Sequence, residues 1–252
     1  MGRFERSLHR VADLDDLERE GFGLVKWDHG CHIRPNSVYA AVTAFWKMER
    51  HSNAALAVIA GGQGSRLAGT AKGLLTFEGR SLLSRLLDLQ SAFAEVLLVA
   101  NEPAPYVAYS LRTVADVIPD RGAPGGVHAA LAHARTEWVL AVGCDMPFVT
   151  RPAVELLLSA RADESDIIAF EINGRLEPLL ALYRRAIAAT WGSALSSHPS
   201  FRDLFRLFRT TLLSEETLKT VDPGMRATVS INTPEDLVRF GVQLPDLGTT
   251  AP

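Results

Sequence analysis

Two basic residues, Arg66 and Lys72, lie in a glycine-rich segment that begins directly after the apolar run 56–60. The apolar run predicts a buried strand, which the glycine pair Gly61-Gly62 ends. Glycines allow backbone N–H groups to approach an anion closely, and the two basic side chains supply the opposite charge. This combination predicts a loop that binds the phosphates of a nucleotide.

The spacing within this loop excludes the two best-known phosphate-binding motifs. A Walker A loop has lysine directly after its second glycine, and here Gly64 and Gly69 have the required separation but Thr70 follows Gly69. A dinucleotide fingerprint reads Gly-x-Gly-x-x-Gly, and Leu67 stands where its third glycine belongs. The spacing alone leaves open an ordinary glycine-rich turn between a strand and a helix.

A carboxylate, Asp145, follows a second apolar run, 138–142, which predicts another strand. Ligands of doubly wound sheets bind at the carboxyl ends of strands, and a carboxylate there can hold Mg²⁺ beside substrate phosphates. The alternative is a turn aspartate before Pro147, but the phosphate loop upstream favours the metal site. The neighbouring Cys144 is interpreted as a small buried residue rather than a nucleophile.

The elements that must position these residues alternate between strands and helices from residue 54 onward. This order predicts an α/β fold with a Rossmann-like, doubly wound, mostly parallel sheet covered on both faces. Asn173-Gly174 predicts a tight turn between strands 167–171 and 179–183, and Thr233-Pro234 predicts a helix start. Further strands are expected at 96–100, 114–118 and 229–232, and helices at 81–90, 126–135, 152–160, 184–197 and 201–210.

The chain divides by pattern into an N-terminal extension of unknown role (1–53), a single main domain (54–245) and a short tail (246–252). Its 252 residues are 47% hydrophobic and 22% charged, which is an ordinary globular composition. The net charge of -3 favours neither nucleic acid nor an anionic membrane as a partner. Two cysteines and the lack of a signal-peptide core or long apolar run predict a cytoplasmic location.

Three motifs in the same order resemble the molybdenum cofactor guanylyltransferases and their nucleotidyltransferase relatives. The resemblance covers about three quarters of the chain and implies the nucleotide-diphospho-sugar transferase-like version of the fold. The first motif departs from the family at Leu67, Ala68 and Ala71, and the last has Ser230 where an asparagine is common. The motifs are Gly61-Gly62-x-x-Ser65-Arg66-Leu67-x-Gly69-x-x-Lys72, Cys144-Asp145-Met146-Pro147 and Asn232-Thr233-Pro234-Glu235-Asp236-Leu237.

The resemblance implies a role for each matched position. Lys72, Arg66 and Asp145 are expected to act in catalysis, and Asp145, Asn232 and Ser230 to hold the metal. Arg202 is expected to bind the pterin substrate. The residues expected to contact the nucleotide are Ala60, Gly61, Gly62, Gly64, Ser65, Arg66, Lys72, Asp116, Gly125 and Asp145.

The implied reaction transfers GMP from GTP to the terminal phosphate of molybdopterin, giving molybdopterin guanine dinucleotide and pyrophosphate. Mg²⁺ is the expected metal, with Mn²⁺ as an alternative. The choice of GTP rests on Ala60-Gly61-Gly62, since cytidylyl-transferring relatives tend to have Ala-Ala-Gly. Molybdenum-insertion and molybdoenzyme-delivery proteins are the expected protein partners.

Two alternatives remain open at this point. One is a nucleotidyltransferase of the same fold that uses CTP on molybdopterin or a nucleotide on a sugar phosphate. The other is a binding or delivery protein that has lost turnover, which the departures at Ala68, Ala71 and Ser230 keep open.

Overall fold

A seven-stranded sheet forms the centre of the computed structural model, which describes residues 51–61 and 70–245. Within these residues the strand order is β5-β4-β1-β6-β8-β7-β9, and only β8 runs against the others. The strands are β1 (His51–Ile59), β4 (Phe93–Val99), β5 (Arg112–Val114), β6 (Trp138–Gly143), β7 (Ile167–Ile172), β8 (Arg175–Arg184) and β9 (Thr210–Ser214), and a separate small hairpin pairs β2 (Thr76–Phe77) with β3 (Arg80–Ser81).

Helices cover both faces of this sheet, which explains why its central strands are apolar on both sides. Every residue of β6 is buried, and so are Ala54 to Ile59 of β1. The helices are α1 (Leu82–Leu86), α2 (Gly122–His133), α3 (Arg151–Ser159), α4 (Ala188–Ala194), α5 (Phe201–Phe205), α6 (Glu215–Lys219) and α7 (Pro234–Phe240). Short 3-10 helices span Lys72–Leu74, Leu87–Ala92, Ala104–Tyr109, Arg185–Ile187, Leu195–Ser197 and Arg226–Thr228.

Two apolar layers hold the helices on the sheet. One layer packs α1 and α3 on alternate strand residues such as Val58 and Leu140. The other packs α2, α4 and α5 on the opposite face, around Trp191 of α4. The doubly wound, mostly parallel α/β fold expected from the sequence is therefore confirmed.

The carboxyl ends of four strands meet at one edge of the sheet. Ile59 pairs with both Val99 and Gly143, and Val99 pairs with Val114. Residues that follow these strands are consequently neighbours, however far apart they lie in the sequence. This carboxyl edge is where ligands of open α/β sheets bind.

Several local predictions are confirmed and others are wrong. The tight turn at Asn173-Gly174 is present, with φ angles of 50° and 69° that suit this pair. The helix expected over 201–210 ends at Phe205, and Thr210 instead begins β9. No strand forms over 229–232 within the described residues, because the backbone N–H of Ile231 bonds to the carbonyl of Asp145 outside any sheet.

The part of the chain that the structure describes contains no helix long and apolar enough to cross a membrane.

Candidate active site

The side chains of Lys72, Asp145 and Asn232 meet at the carboxyl edge. The ammonium Nζ of Lys72 donates to Asp145 Oδ2 at 2.8 Å and to Asn232 Oδ1 at 2.6 Å. These residues come from three distant parts of the sequence, which the motif order alone could not bring into contact. We call this set the Lys–Asp–Asn cluster; its Lys and Asp side chains are 21% and 16% exposed, so substrate can reach them.

Asp145 is placed by the way β6 ends. The backbone N–H of Cys144 bonds to the carbonyl of Ile59 at 3.0 Å, which keeps the chain beside β1 for one residue beyond the strand. A Cβ on Gly143 would lie 2.7 Å from Asp145 Oδ1, so only glycine leaves room for the carboxylate. The strand end therefore both exposes Asp145 and shapes the turn around it.

Asn232 is held by the start of α7. Thr233 caps this helix, and Asp236 completes a capping box. Asp236 Oδ2 also accepts from the backbone N–H of Asn232 at 2.9 Å. These backbone hydrogen bonds, that from Asn232 first, lower the pKa of Asp236. The predicted helix cap at Thr233 is therefore present, and the same capping group, Asp236, also holds the predicted site residue Asn232.

Ser230 orients the amide of Asn232. The Asn232 Nδ2 group donates to Ser230 Oγ at 2.7 Å, which directs the amide oxygen towards Lys72. At position 230, where an asparagine is common in the family, Ser230 supplies a hydroxyl that contacts the cluster through Asn232.

Lys72 lies on a 3-10 helix whose second residue, Gly73, is wedged against Tyr106. A Cβ on Gly73 would lie 3.0 Å from Tyr106 Cε1 and 3.3 Å from its hydroxyl oxygen. Tyr106 is only 4% exposed, and burial raises its pKa. Burial also raises the pKa of the Cys144 thiol, to about 12, which keeps it protonated and agrees with a packing role. The contact between Gly73 and Tyr106 thus packs the segment that carries Lys72 against a buried aromatic ring.

We expect Gly73→Ala to lower the melting temperature, because the new methyl group would press on the buried Tyr106 ring. Overpacking of this kind costs about 1–3 kcal/mol, which shifts the melting temperature of a domain this size by about 2–4 °C per kcal/mol. Thermal unfolding measures the effect. Gly224→Ala is the matched control, since its Cβ would meet nothing nearer than 3.6 Å. Equal melting temperatures for the two variants would contradict the contact.

A second polar pair, Asn101 and Asp116, lies after β4 and β5 at the same edge. Asn101 Nδ2 donates to Asp116 Oδ2 at 2.9 Å, and the backbone N–H of Asp116 donates to Asn101 Oδ1 at 2.9 Å. The Asp116 carboxylate in turn lies near the first turn of α2, 3.7 Å from where a Cβ of Gly125 would be. The structure thus brings two predicted nucleotide-binding residues, Asp116 and Gly125, together.

Asn101 was not predicted as a site residue, although its position in the sequence gave a signal. Asn101 is a polar residue that comes two positions after the buried strand β4, at a carboxyl strand end. That is the position in which Asp145 was recognised after β6. Gly73 and Tyr106 gave no comparable signal, since their contact joins residues from different elements.

A hydrogen bond from the Arg202 guanidinium goes to the β7–β8 hairpin rather than to the Lys–Asp–Asn cluster. Its Nη2 donates to the carbonyl of Gly174, in the turn between β7 and β8, at 3.2 Å. Ser200 caps α5 in front of it, with a capping box to Asp203. Arg202 is exposed, so its guanidinium can still reach a ligand at this hairpin.

Glu177, on β8, is a half-buried carboxyl near the same hairpin. β7 and β8 lose their regular register between Leu176 and Ala181, and Tyr183 Oη satisfies the freed carbonyl of Pro178 at 2.7 Å. Burial raises the pKa of Glu177 to about 7, against a smaller lowering by Arg175. This carboxyl therefore changes charge near neutral pH.

The glycine-rich loop is described only at its two ends. Ala60 is held by a hydrogen bond from its backbone N–H to the carbonyl of Val99 at 2.8 Å, and Gly61 is exposed, with no atom of the described residues within 4 Å of where its Cβ would be. The predicted contacts of Gly62, Gly64, Ser65 and Arg66 lie outside the described residues.

The oxygen atoms of the cluster suit a hard divalent cation. The Asp145 carboxylate and the Asn232 amide oxygen, with the neighbouring Ser230 hydroxyl, are ligands that Mg²⁺ accepts. Mg²⁺ also keeps several waters beside substrate phosphates. The ammonium of Lys72 already stands between Asp145 Oδ2 and Asn232 Oδ1, as a cation would. No group of three or more His, Cys, Asp or Glu side chains that could hold a metal occurs among residues 51–61 and 70–245. The donor set therefore fits a metal shared with a phosphorylated substrate.

Comparisons with known proteins identify the family of the chain. The family model described as MobA-like NTP transferase domain matches residues 56–216. A molybdenum cofactor guanylyltransferase of Desulfosudis oleivorans is 28% identical over 182 residues, 71% of this chain and 90% of that protein. One of Vibrio cholerae is 29% identical over 198 residues, 77% of this chain and 94% of that protein.

Solved structures give the same result. Molybdopterin-guanine dinucleotide biosynthesis protein A of Archaeoglobus fulgidus has a TM-score of 0.63 at 27% identity, covering 73% of this chain and 95% of that one. The 2-C-methyl-D-erythritol 4-phosphate cytidylyltransferase of Thermus thermophilus, at 19% identity, has a TM-score of 0.54 over 73% of this chain and 95% of that one, a likeness in fold alone. The resemblance drawn from the motifs is confirmed: the chain belongs to the MobA-like NTP transferase family and is a nucleotidyltransferase.

Proposed function

We propose that the protein transfers GMP from GTP to the terminal phosphate of molybdopterin. A phosphate oxygen of molybdopterin forms a bond to the α-phosphorus of GTP, the bond from that phosphorus to the bridging oxygen breaks, and pyrophosphate leaves. The observation that carries this proposal is the Lys–Asp–Asn cluster at the carboxyl edge, where Lys72 Nζ lies 2.8 Å from Asp145 Oδ2. The curated relatives named molybdenum cofactor guanylyltransferase support the choice of substrates.

The attacking phosphate oxygen is already anionic, so the reaction needs no strong general base. Positioning of the two substrates and neutralisation of their charge must then provide most of the acceleration. We assign charge neutralisation of the triphosphate and of the leaving pyrophosphate to Lys72 and Arg66. The backbone N–H groups of Gly61, Gly62 and Gly64, with Ser65, cradle the phosphates.

Asp145 and Asn232, together with Ser230, are the residues that would hold Mg²⁺, or Mn²⁺ in its place. A bound divalent ion would supply Lewis-acid stabilisation of charge on the α-phosphate oxygens. Ser230 contributes by orienting the Asn232 amide at 2.7 Å, besides its expected place as a ligand.

The remaining site residues are assigned to the two ends of the reactants. We assign Asp116, which Asn101 holds by a hydrogen bond, and Gly125 in the first turn of α2 to the nucleoside end of GTP. Arg202, which is bound to the hairpin carbonyl of Gly174, is placed on the pterin side, where its guanidinium can grip a phosphate in bidentate fashion.

The location, protein partners and domain division of the protein are proposed from its membership of the family. A cytoplasmic location, contacts with molybdenum-insertion and molybdoenzyme-delivery proteins, and the division at residues 53 and 245 are all consistent with a biosynthetic enzyme of this family.

We expect GTP to bind about tenfold or more tightly than CTP, because the Ala60-Gly61-Gly62 segment follows the guanylyl-transferring pattern. Competition of each nucleotide against a fluorescent GTP analogue measures this ratio. Tighter binding of CTP would overturn the choice of GTP while leaving the family assignment intact.

A further inference from the structure

We propose that Lys72 occupies the metal position of the nucleotide-free protein and keeps divalent metal out until a triphosphate draws its ammonium away. This inference rests on the proposed function, since it concerns the same metal and nucleotide. It predicts an order of events: the metal enters with the nucleotide rather than before it.

The geometry places the ammonium between the two oxygens best suited to the metal. Lys72 Nζ donates to Asp145 Oδ2 at 2.8 Å and to Asn232 Oδ1 at 2.6 Å. Hydrogen bonds to charged groups are the stronger ones in proteins, and this cluster is largely shielded from water. A lysine with two such acceptors resembles a bound cation more than a free surface charge.

The two oxygens are also fixed in place around that ammonium. Asn232 is held through its amide by Ser230 and through its backbone by Asp236. The main chain of Asp145 is held by the backbone N–H of Ile231 at 2.8 Å. Because the Asn232 amide is anchored by Ser230, its oxygen cannot easily rotate to serve a second cation beside the first.

A divalent ion at these oxygens would stand within a few ångströms of the ammonium, and like charges at that distance repel strongly in a partly buried site. A bound triphosphate competes with Asp145 for the Lys72 ammonium, because its oxygens offer more negative charge than the single carboxylate does. Lys72 has three N–H donors, and the hydrogen bonds of the described residues use two of them, which leaves one for a hydrogen bond to an incoming phosphate. Release of the oxygens to the metal then follows nucleotide binding.

The test is a titration of the full chain with Mn²⁺ in the absence of nucleotide. The electron paramagnetic resonance signal of free Mn²⁺ measures how much of the ion is bound. We expect weak binding to the wild type and about tenfold or tighter binding to Lys72→Met, which keeps the length of the side chain without its charge. Lys72→Gln serves as a second variant should Lys72→Met melt at a lower temperature than the wild type. Lys219→Met is the matched control, because Lys219 pairs with Glu215 and Glu216 instead.

The double variant Lys72→Met/Asp145→Asn should lose the tighter Mn²⁺ binding of Lys72→Met. That loss would locate the Mn²⁺ site at Asp145. Equal Mn²⁺ affinities of the wild type and both Lys72 variants, or no binding by either variant, would overturn the proposal. A separate titration with a non-hydrolysable GTP analogue distinguishes this from failure of the proposed function. If the wild type binds Mn²⁺ with the analogue but equals the variants without it, only the order of binding is wrong.

Discussion

Lys72→Met reduces GMP transfer about 10²–10³-fold while the protein stays folded. Loss of a single group aimed at charge that develops in the transition state has effects of this size. Lys72 is the one side chain that reaches both Asp145 and Asn232 among the described residues, at 2.8 and 2.6 Å. Steady-state release of pyrophosphate from GTP and molybdopterin measures the loss, and thermal unfolding checks the fold.

Lys219→Met is the matched control for this experiment as well. Lys219 lies on α6, with its ammonium 2.7 Å from Glu215, and the proposed reaction does not use it. Turnover by Lys72→Met at the rate of Lys219→Met would remove Lys72 from the mechanism.

Asp145→Asn should lower transfer by a similar factor, about 10²–10³, and also raise the metal concentration needed for activity. The amide keeps an oxygen for the hydrogen bond from Lys72 but lacks the charge that attracts a divalent cation. The backbone carbonyl of Asp145 still accepts from Ile231, so the loop stays in place. Transfer rates over a range of Mg²⁺ concentrations measure both effects.

Asp88→Asn provides the comparison, since Asp88 forms an exposed ion pair with Arg80. Exposed pairs of this kind contribute about 0–1 kcal/mol to stability, so neither rate nor metal requirement should change. An unchanged metal requirement in Asp145→Asn would show that the metal is held elsewhere.

The fold could be predicted from the sequence because it follows from local patterns, whereas the members of the cluster were expected from the resemblance of three motifs to one family. The apolar runs that became β1 and β6 are buried strands, and Asp145 follows the second as a strand-end carboxylate. The carboxyl ends of the parallel strands meet at one edge of the sheet, which accounts for the position of Asp145. Its contact with Lys72 and Asn232 joins distant segments outside the strands, and no local pattern contains that contact.

The remaining features depend on contacts that no local pattern contains. The predicted helix over 201–210 had no strand after it, whereas β9 begins at Thr210, five residues after α5 ends, and is held by its pairing with β7. The wedge of Tyr106 against Gly73 joins two elements across the site. The orientation of the Asn232 amide by Ser230 likewise depends on the turn that brings the two together.

The most direct test of the central claim is turnover with molybdopterin and Mg²⁺, comparing GTP with CTP as the only nucleotide. With GTP we expect pyrophosphate and molybdopterin guanine dinucleotide in equal amounts, and with CTP at most a small fraction of that rate. Faster turnover with CTP would make the protein a cytidylyltransferase. Absence of pyrophosphate from the folded protein with either nucleotide would contradict catalysis itself and favour a binding protein.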